Sequence, residues 1–118
     1  MPRFLTMVRV DENDIPAGGV SEGLMRRMGE LIEEMTKAGV LLETGGLTPT
    51  SEATRVTWSN GRISYTDGPF TETKEVIGGF ALIQAKDRAE ALEWTKRFLQ
   101  VHEEYWTITS EIREITEG

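Results

Sequence analysis

"RVTWSNGRISYT", residues 55–66, is the stretch on which the fold turns. Two β-forming runs flank Asn60-Gly61, the dipeptide best suited to a two-residue type I′ turn, in which both central residues take positive φ. A loop of that length fixes the register. It sets Trp58 opposite Ile63 and Val56 opposite Tyr65 on one face, with Arg55, Thr57, Ser64 and Thr66 on the other. The hairpin is amphipathic and its register well specified.

Upstream, "RFLTMVRV" (3–10) is rich in β formers and apolar on both alternating faces, as expected of a central strand covered on both sides. After the polar loop "DENDIPAGGV", Ser21 can cap a helix. In that helix Leu24, Met28, Leu31 and Met35 recur at helical spacing, joined by Met25 and Ile32, and Gly39 supplies the stop. The methionines read as core packing against a sheet, not as a cofactor face. "VLLET" (40–44) is a short strand.

Downstream, "VIGGFALIQA" (76–85) reads as a strand. Asp87 and Glu90 form a capping box for a second helix. Ala91, Trp94, Phe98, Val101 and Tyr105 share its apolar side with Leu92 and Leu99, while Glu93, Lys96, Arg97, Gln100, Glu103 and Glu104 cover the other. "TITSEIREI" (107–115) closes as a strand. The order β-α-β, hairpin, β-α-β predicts an α+β fold. It is a ferredoxin-like split βαβ with an inserted β-hairpin and two helices on one face of an antiparallel sheet. The other sheet face, and the doubly apolar first strand, lead us to expect a homodimer.

The 118 residues suit one domain, 1–118, long enough to bury a core. Without cysteine, disulfides, thiolate metal sites and thiol catalysis are excluded. The N-terminal residues lack the layout of a signal peptide, and no apolar run approaches membrane-spanning length, so a cytoplasmic protein without a membrane partner is expected. The net charge is −7, with 6 basic and 9 acidic residues in 1–59 and 7 and 11 in 60–118. No basic half is hidden, which argues against nucleic acid. There is no Walker loop, GxGxxG, HExxH or GxSxG; a single histidine rules out a His₃ metal site, and no cofactor is expected.

Candidate site residues follow from chemistry. Asp67, in "DGPF" (67–70), is either a turn former or a carboxylate at a cleft mouth that takes a proton; Phe70 would anchor the loop in the core. Glu72 and Lys74 point to one side of an extended segment. They form either a solvated pair or a Lys-oriented carboxylate beside Asp67. His102 falls about 20° from Ala91 on the helical wheel, inside the apolar arc. It is either a hydrogen-bonded core residue or the best acid/base candidate, histidine being the side-chain type that titrates nearest neutrality. Arg113 alternates with Ile112 and is either a surface ion-pair partner or a carboxylate binder. Tyr65, with Trp58, Trp94 and Trp106, lines either an apolar pocket or a packing interface.

Taken together, "TDGPFTETKEVIGGF" (66–80), "EALEW" (90–94), "FLQVH" (98–102), "EIREI" (111–115) and "MGELIEEMTKAGVLLETGGLTPT" (28–50) resemble the YCII-related family, in its DGPF-motif branch. The resemblance implies a dimeric α+β barrel in which two ferredoxin-like subunits pack sheet against sheet. Two functional classes are associated with it. One is an enzyme by analogy with barrel isomerases such as muconolactone isomerase; the other is a non-catalytic module linked to sigma-factor-like proteins. Founding members carry a His–Asp pair in a cleft. Here His102 is the only histidine, and Tyr105 stands before Trp106 where a second would be expected, so that pair does not carry over by position. The function expected is binding of a small anionic or carbonyl-bearing molecule in a cleft, with acid–base chemistry.

Overall fold

The computed structural model describes residues 1–70 and 74–117. The elements run β1 (Arg3–Val10), α1 (Glu22–Lys37), β2 (Leu41–Gly46), a 3₁₀ turn (Thr50–Glu52), β3 (Thr54–Ser59), β4 (Arg62–Asp67), β5 (Val76–Gln84), α2 (Arg88–Gln100) and β6 (Thr109–Glu114). A four-stranded sheet has the order β2-β5-β1-β6 with antiparallel neighbours throughout. β5 lies between β1 and β2, and β1 lies between β5 and β6, so the two βαβ units interlock. This is the α+β arrangement expected from the sequence.

The helices form because their ends are satisfied locally. Ser21 Oγ accepts the Leu24 amide at 2.9 Å, and α1 ends in a Schellman motif. There Gly39, at φ +73°, and Val40 donate to the carbonyls of Thr36 and Met35. In α2, Asp87 Oδ1 accepts from the Glu90 amide, while Glu90 Oε1 accepts from Lys86 N–H instead of the cap residue's own amide.

Both helices pack on one face of the sheet. Phe4 and its cross-strand partner Ile83 are fully buried there with Leu31, Met35, Val40, Ala85 and Ala91. Two residues assigned to the apolar helix sides, Met25 and Leu92, are instead exposed.

The second helix stops earlier than its periodicity implies. In a continued helix the carbonyls of Leu99 and Val101 would accept from amides four residues on. Instead Leu99 O accepts from the His102 ring and amide, and Val101 O from Arg27 Nε at 2.7 Å. The chain turns away after Gln100. Tyr105 therefore leaves the apolar side and is exposed.

The β3–β4 hairpin has the expected register, with Val56 opposite Tyr65 and Trp58 opposite Ile63. Asn60 and Gly61 have φ of 52° and 75°, as the type I′ turn requires. The hairpin forms its own two-stranded sheet. Its four large apolar side chains are 51–72% exposed. The molecule measures 46 × 43 × 18 Å with a radius of gyration of 16.2 Å. A compact chain of ~100 residues has a radius near 13 Å. The slab is broad and thin because the hairpin lies outside the core layer. Phe70, expected in the core, belongs instead to the open side, under the Arg55 guanidinium at 3.7 Å from its ring centre.

Candidate functional site

The sheet divides the molecule into two recesses with no lining residue in common. Between sheet and helices lies a cavity of about 380 Å³, at the lower end of ligand-pocket sizes of about 300–1,000 Å³. α1 contributes Leu24, Met28 and Ile32, α2 contributes Trp94 and Phe98, and the segment after α2 contributes His102 and Trp106. His102 is the one ionisable side chain in this wall among the described residues.

His102 is held from three sides. Its Nδ1 lies 3.0 Å from Leu99 O. A carbonyl can only accept, so Nδ1 carries the hydrogen, and the neutral ring has its lone pair on Nε2. Phe98 and Trp106 meet the imidazole edge-on, with centroids at 5.6 and 5.5 Å. Nε2 makes no hydrogen bond to a described residue and is not among the atoms shut off from solvent. This is the geometry of an oriented base with its free nitrogen accessible.

A polar cluster ties the start of α1 to the segment carrying His102. Glu103 Oε2 accepts from Ser21 Oγ at 2.6 Å and from Arg27 at 3.0 Å. The Ser21 hydroxyl thus serves as both donor to Glu103 and acceptor for the helix cap. Hydrogen bonding from Ser21, with that of Arg27, lowers the Glu103 carboxyl from 4.5 to about 2. The folded value lies below the unfolded one, so the link stabilises the fold fully above the ordinary carboxylate range and is lost as pH falls toward 2. Glu103→Gln should therefore lose part of the wild-type sensitivity of the urea midpoint between about pH 5 and about pH 2.5. Superimposable acid profiles would contradict this assignment.

This cluster is not legible as a site in the sequence. Glu103 reads as part of a charged helix face, and its contact with Ser21 spans 82 positions. The available signal is Arg27, which lies three residues after Leu24 and four before Leu31, on the apolar stripe itself.

The second recess is a hollow of about 460 Å³ on the open side of the sheet, lined by Met7, Arg9, Arg55, Phe70, Glu111 and Arg113 among others. As expected from alternation, Ile112 packs toward the core and Arg113 faces the other way. Arg9 pairs with Glu111 at 2.9 Å, whereas Arg113 has no ion pair among the described residues. The sequence singled out Arg113 but not Arg9 and Arg55, which only the fold brings beside it.

The other candidates are dispersed. Asp67 ends β4 and accepts from Thr54 Oγ1 at 2.9 Å, across the last rung of the hairpin. It lines neither recess, nor does Tyr65, which is 72% exposed on the hairpin. Lys74 is exposed and forms no ion pair among the described residues. Glu72 lies outside the described residues. His102 and Arg113 fall on opposite sides of the sheet, so the structure does not join them in one site. Among the described residues no cluster of three or more His, Asp or Glu side chains is placed to hold a metal ion, and no helix is long and apolar enough to cross a membrane.

Comparison with known proteins adds family membership to this geometry. Residues 3–115 match the model of the YCII-related domain. The chain is similar to an uncharacterized protein, R00369, of Rhizobium meliloti (strain 1021), with 36% identity over 75 residues. That alignment covers 64% of this chain and 60% of the relative, so the chain spans less than two thirds of the relative's length.

Proposed function

The chain belongs to the YCII-related family, and from that premise we propose that it acts as a homodimer that takes a small molecule into the cavity between helices and sheet, where His102 performs acid–base chemistry. One observation carries the proposal. A cavity of about 380 Å³ has a single ionisable side chain in its described wall, and that side chain is fixed by Leu99 O with Nε2 free. In the reaction, Nε2 takes a proton from an acidic O–H or C–H of the substrate. The imidazolium so formed keeps its Nδ1–H on the Leu99 carbonyl. We assign Asp67 to the footing of the hairpin and Arg113 to the opposite recess, where it can meet an anionic group.

Screening carbonyl-bearing and hydroxyl-bearing metabolites by thermal shift should identify stabilising ligands. His102→Gln should abolish turnover of any ligand that is chemically changed, because glutamine retains a hydrogen bond but cannot shuttle a proton. Asp67→Asn should leave turnover unchanged. Full turnover by His102→Gln would refute the acid–base role.

Dimerisation is supported by the apolar face of the hairpin and by Leu5, Met7 and Leu82 on the half-buried open sheet face. The expected result in sedimentation is a dimer at micromolar concentration. A folded monomer would transfer the exposed hairpin face to a heterologous partner and favour a transcription-linked interaction module. The balance of acidic over basic side chains points away from nucleic acid, and salt-sensitive submicromolar binding of duplex DNA would overturn that expectation.

A further inference from the structure

We infer that the molecule taken up by the inner cavity is uncharged, mostly apolar and hydroxyl-bearing, with the hydroxyl donating to Nε2 of His102. The inference rests on the assignment of that cavity as the ligand site and narrows it. It also separates the anionic from the neutral ligands that the sequence left together, because the arginine that suggested an anion lies on the other side of the sheet.

The side-chain polar groups in the wall are few and mostly engaged. The hydroxyl hydrogens of Thr6, Thr44 and Thr95 are given to the carbonyls of Ala81, Phe80 and Ala91. The Trp106 indole N–H is closed off from any water-sized contact. No lysine, arginine, aspartate or glutamate lines the cavity among the described residues. A carboxylate entering this space beside the neutral form of His102 would give up its water without meeting a lysine, an arginine or an accessible side-chain donor, and that desolvation is unfavourable. The neutral imidazole offers an acceptor, since its one hydrogen is held by Leu99 O. The complement of an accessible acceptor in an apolar wall is a donor on an apolar body. The hydroxyl of a phenol or enol meets that requirement, and it places the most acidic proton of such a molecule on the base.

A matched set of two-ring probes tests this by calorimetry at about pH 8. 2-Naphthol carries the donor, 2-methoxynaphthalene lacks it at nearly the same shape, and 2-naphthoate carries a charge. 2-Naphthol should bind at least about tenfold more tightly than either of the others, as expected for one hydrogen bond made against an otherwise apolar wall. His102→Phe keeps an aromatic ring against Phe98 and Trp106 but removes the acceptor. It should bring 2-naphthol to the affinity of 2-methoxynaphthalene while leaving the latter unchanged. If His102→Phe does not fold, His102→Leu with the same affinity ratio replaces it. Met28→Trp, which fills the cavity, should weaken all three probes and so locates them. Equal affinities of naphthol and methoxynaphthalene, a preference for naphthoate, or a ratio that survives loss of His102 would overturn the ligand class while leaving the cavity as a site. Failure of all three probes to bind, or indifference of their binding to Met28→Trp, would overturn the cavity assignment itself.

Discussion

Gly68→Ala should unseat the β3–β4 hairpin. A Cβ built on Gly68 would stand 1.7 Å from the carbonyl oxygen of Thr50 and 2.8 Å from its carbon. Both are backbone atoms of the 3₁₀ turn, so no side-chain rotation can relieve the overlap. Gly68 N–H also donates to Ala53 O at 2.8 Å, and Glu12 accepts from both the amide and the hydroxyl of Thr50. The contact is thus braced from two sides. Overpacking ordinarily costs about 1–3 kcal/mol, and a backbone overlap this deep belongs at or beyond the upper end. The expected readout is rapid proteolysis within the hairpin, 54–67, with the sheet and helices retained in far-UV circular dichroism. A variant with wild-type protease resistance and an unchanged melting temperature would show that the turn carries no such constraint.

Phe4→Ala should have the largest effect on the fold itself. Phe4 has no exposed surface, lies on the central strand and packs against Ile83 and the inner sides of the helices. Truncating a buried phenylalanine costs about 3–5 kcal/mol through lost transfer energy and an unfilled cavity. For a domain stable by about 5–15 kcal/mol that is a large fraction of the total. Urea denaturation should show a midpoint lowered in proportion with little change of slope. Phe4→Leu should recover most of the loss. A midpoint within error of wild type would mean that the surrounding core collapses into the space of the missing ring.

What the sequence reveals depends on how local the determining physics is. The Asn60-Gly61 turn, the Ser21 and Asp87 caps, the Gly39 stop and the alternation of Ile112 with Arg113 rest on interactions within a few residues, and each reappears in the structure. The end of α2 does not, because two carbonyl acceptors are diverted, one of them to Arg27, which is 74 positions away. The candidate site divides in the same way. His102 is legible from its place on the apolar arc, but the bond that fixes its tautomer follows from the helix ending where it does. Arg113 and His102 both read as site residues, yet they serve opposite faces of the sheet, a distinction that only the assembled sheet makes. Asp67 signals a turn and a carboxylate at once, and sequence pattern alone does not choose between them.

The strand order also bears on how the polypeptide is made. β1 leaves the ribosome before the other described strands, but its neighbours are β5 and β6, with Phe4 beside Ile83 and Glu114. Loop closure over most of the chain must precede the pairing that completes the sheet, which makes folding slow relative to contacts formed nearby in sequence. During synthesis this apolar central strand therefore waits with both edges open, a state prone to adhesion with other nascent chains. The nascent protein should need shielding until residue 114 has cleared the exit tunnel, and chains truncated before β6 should be found with chaperones or in aggregates.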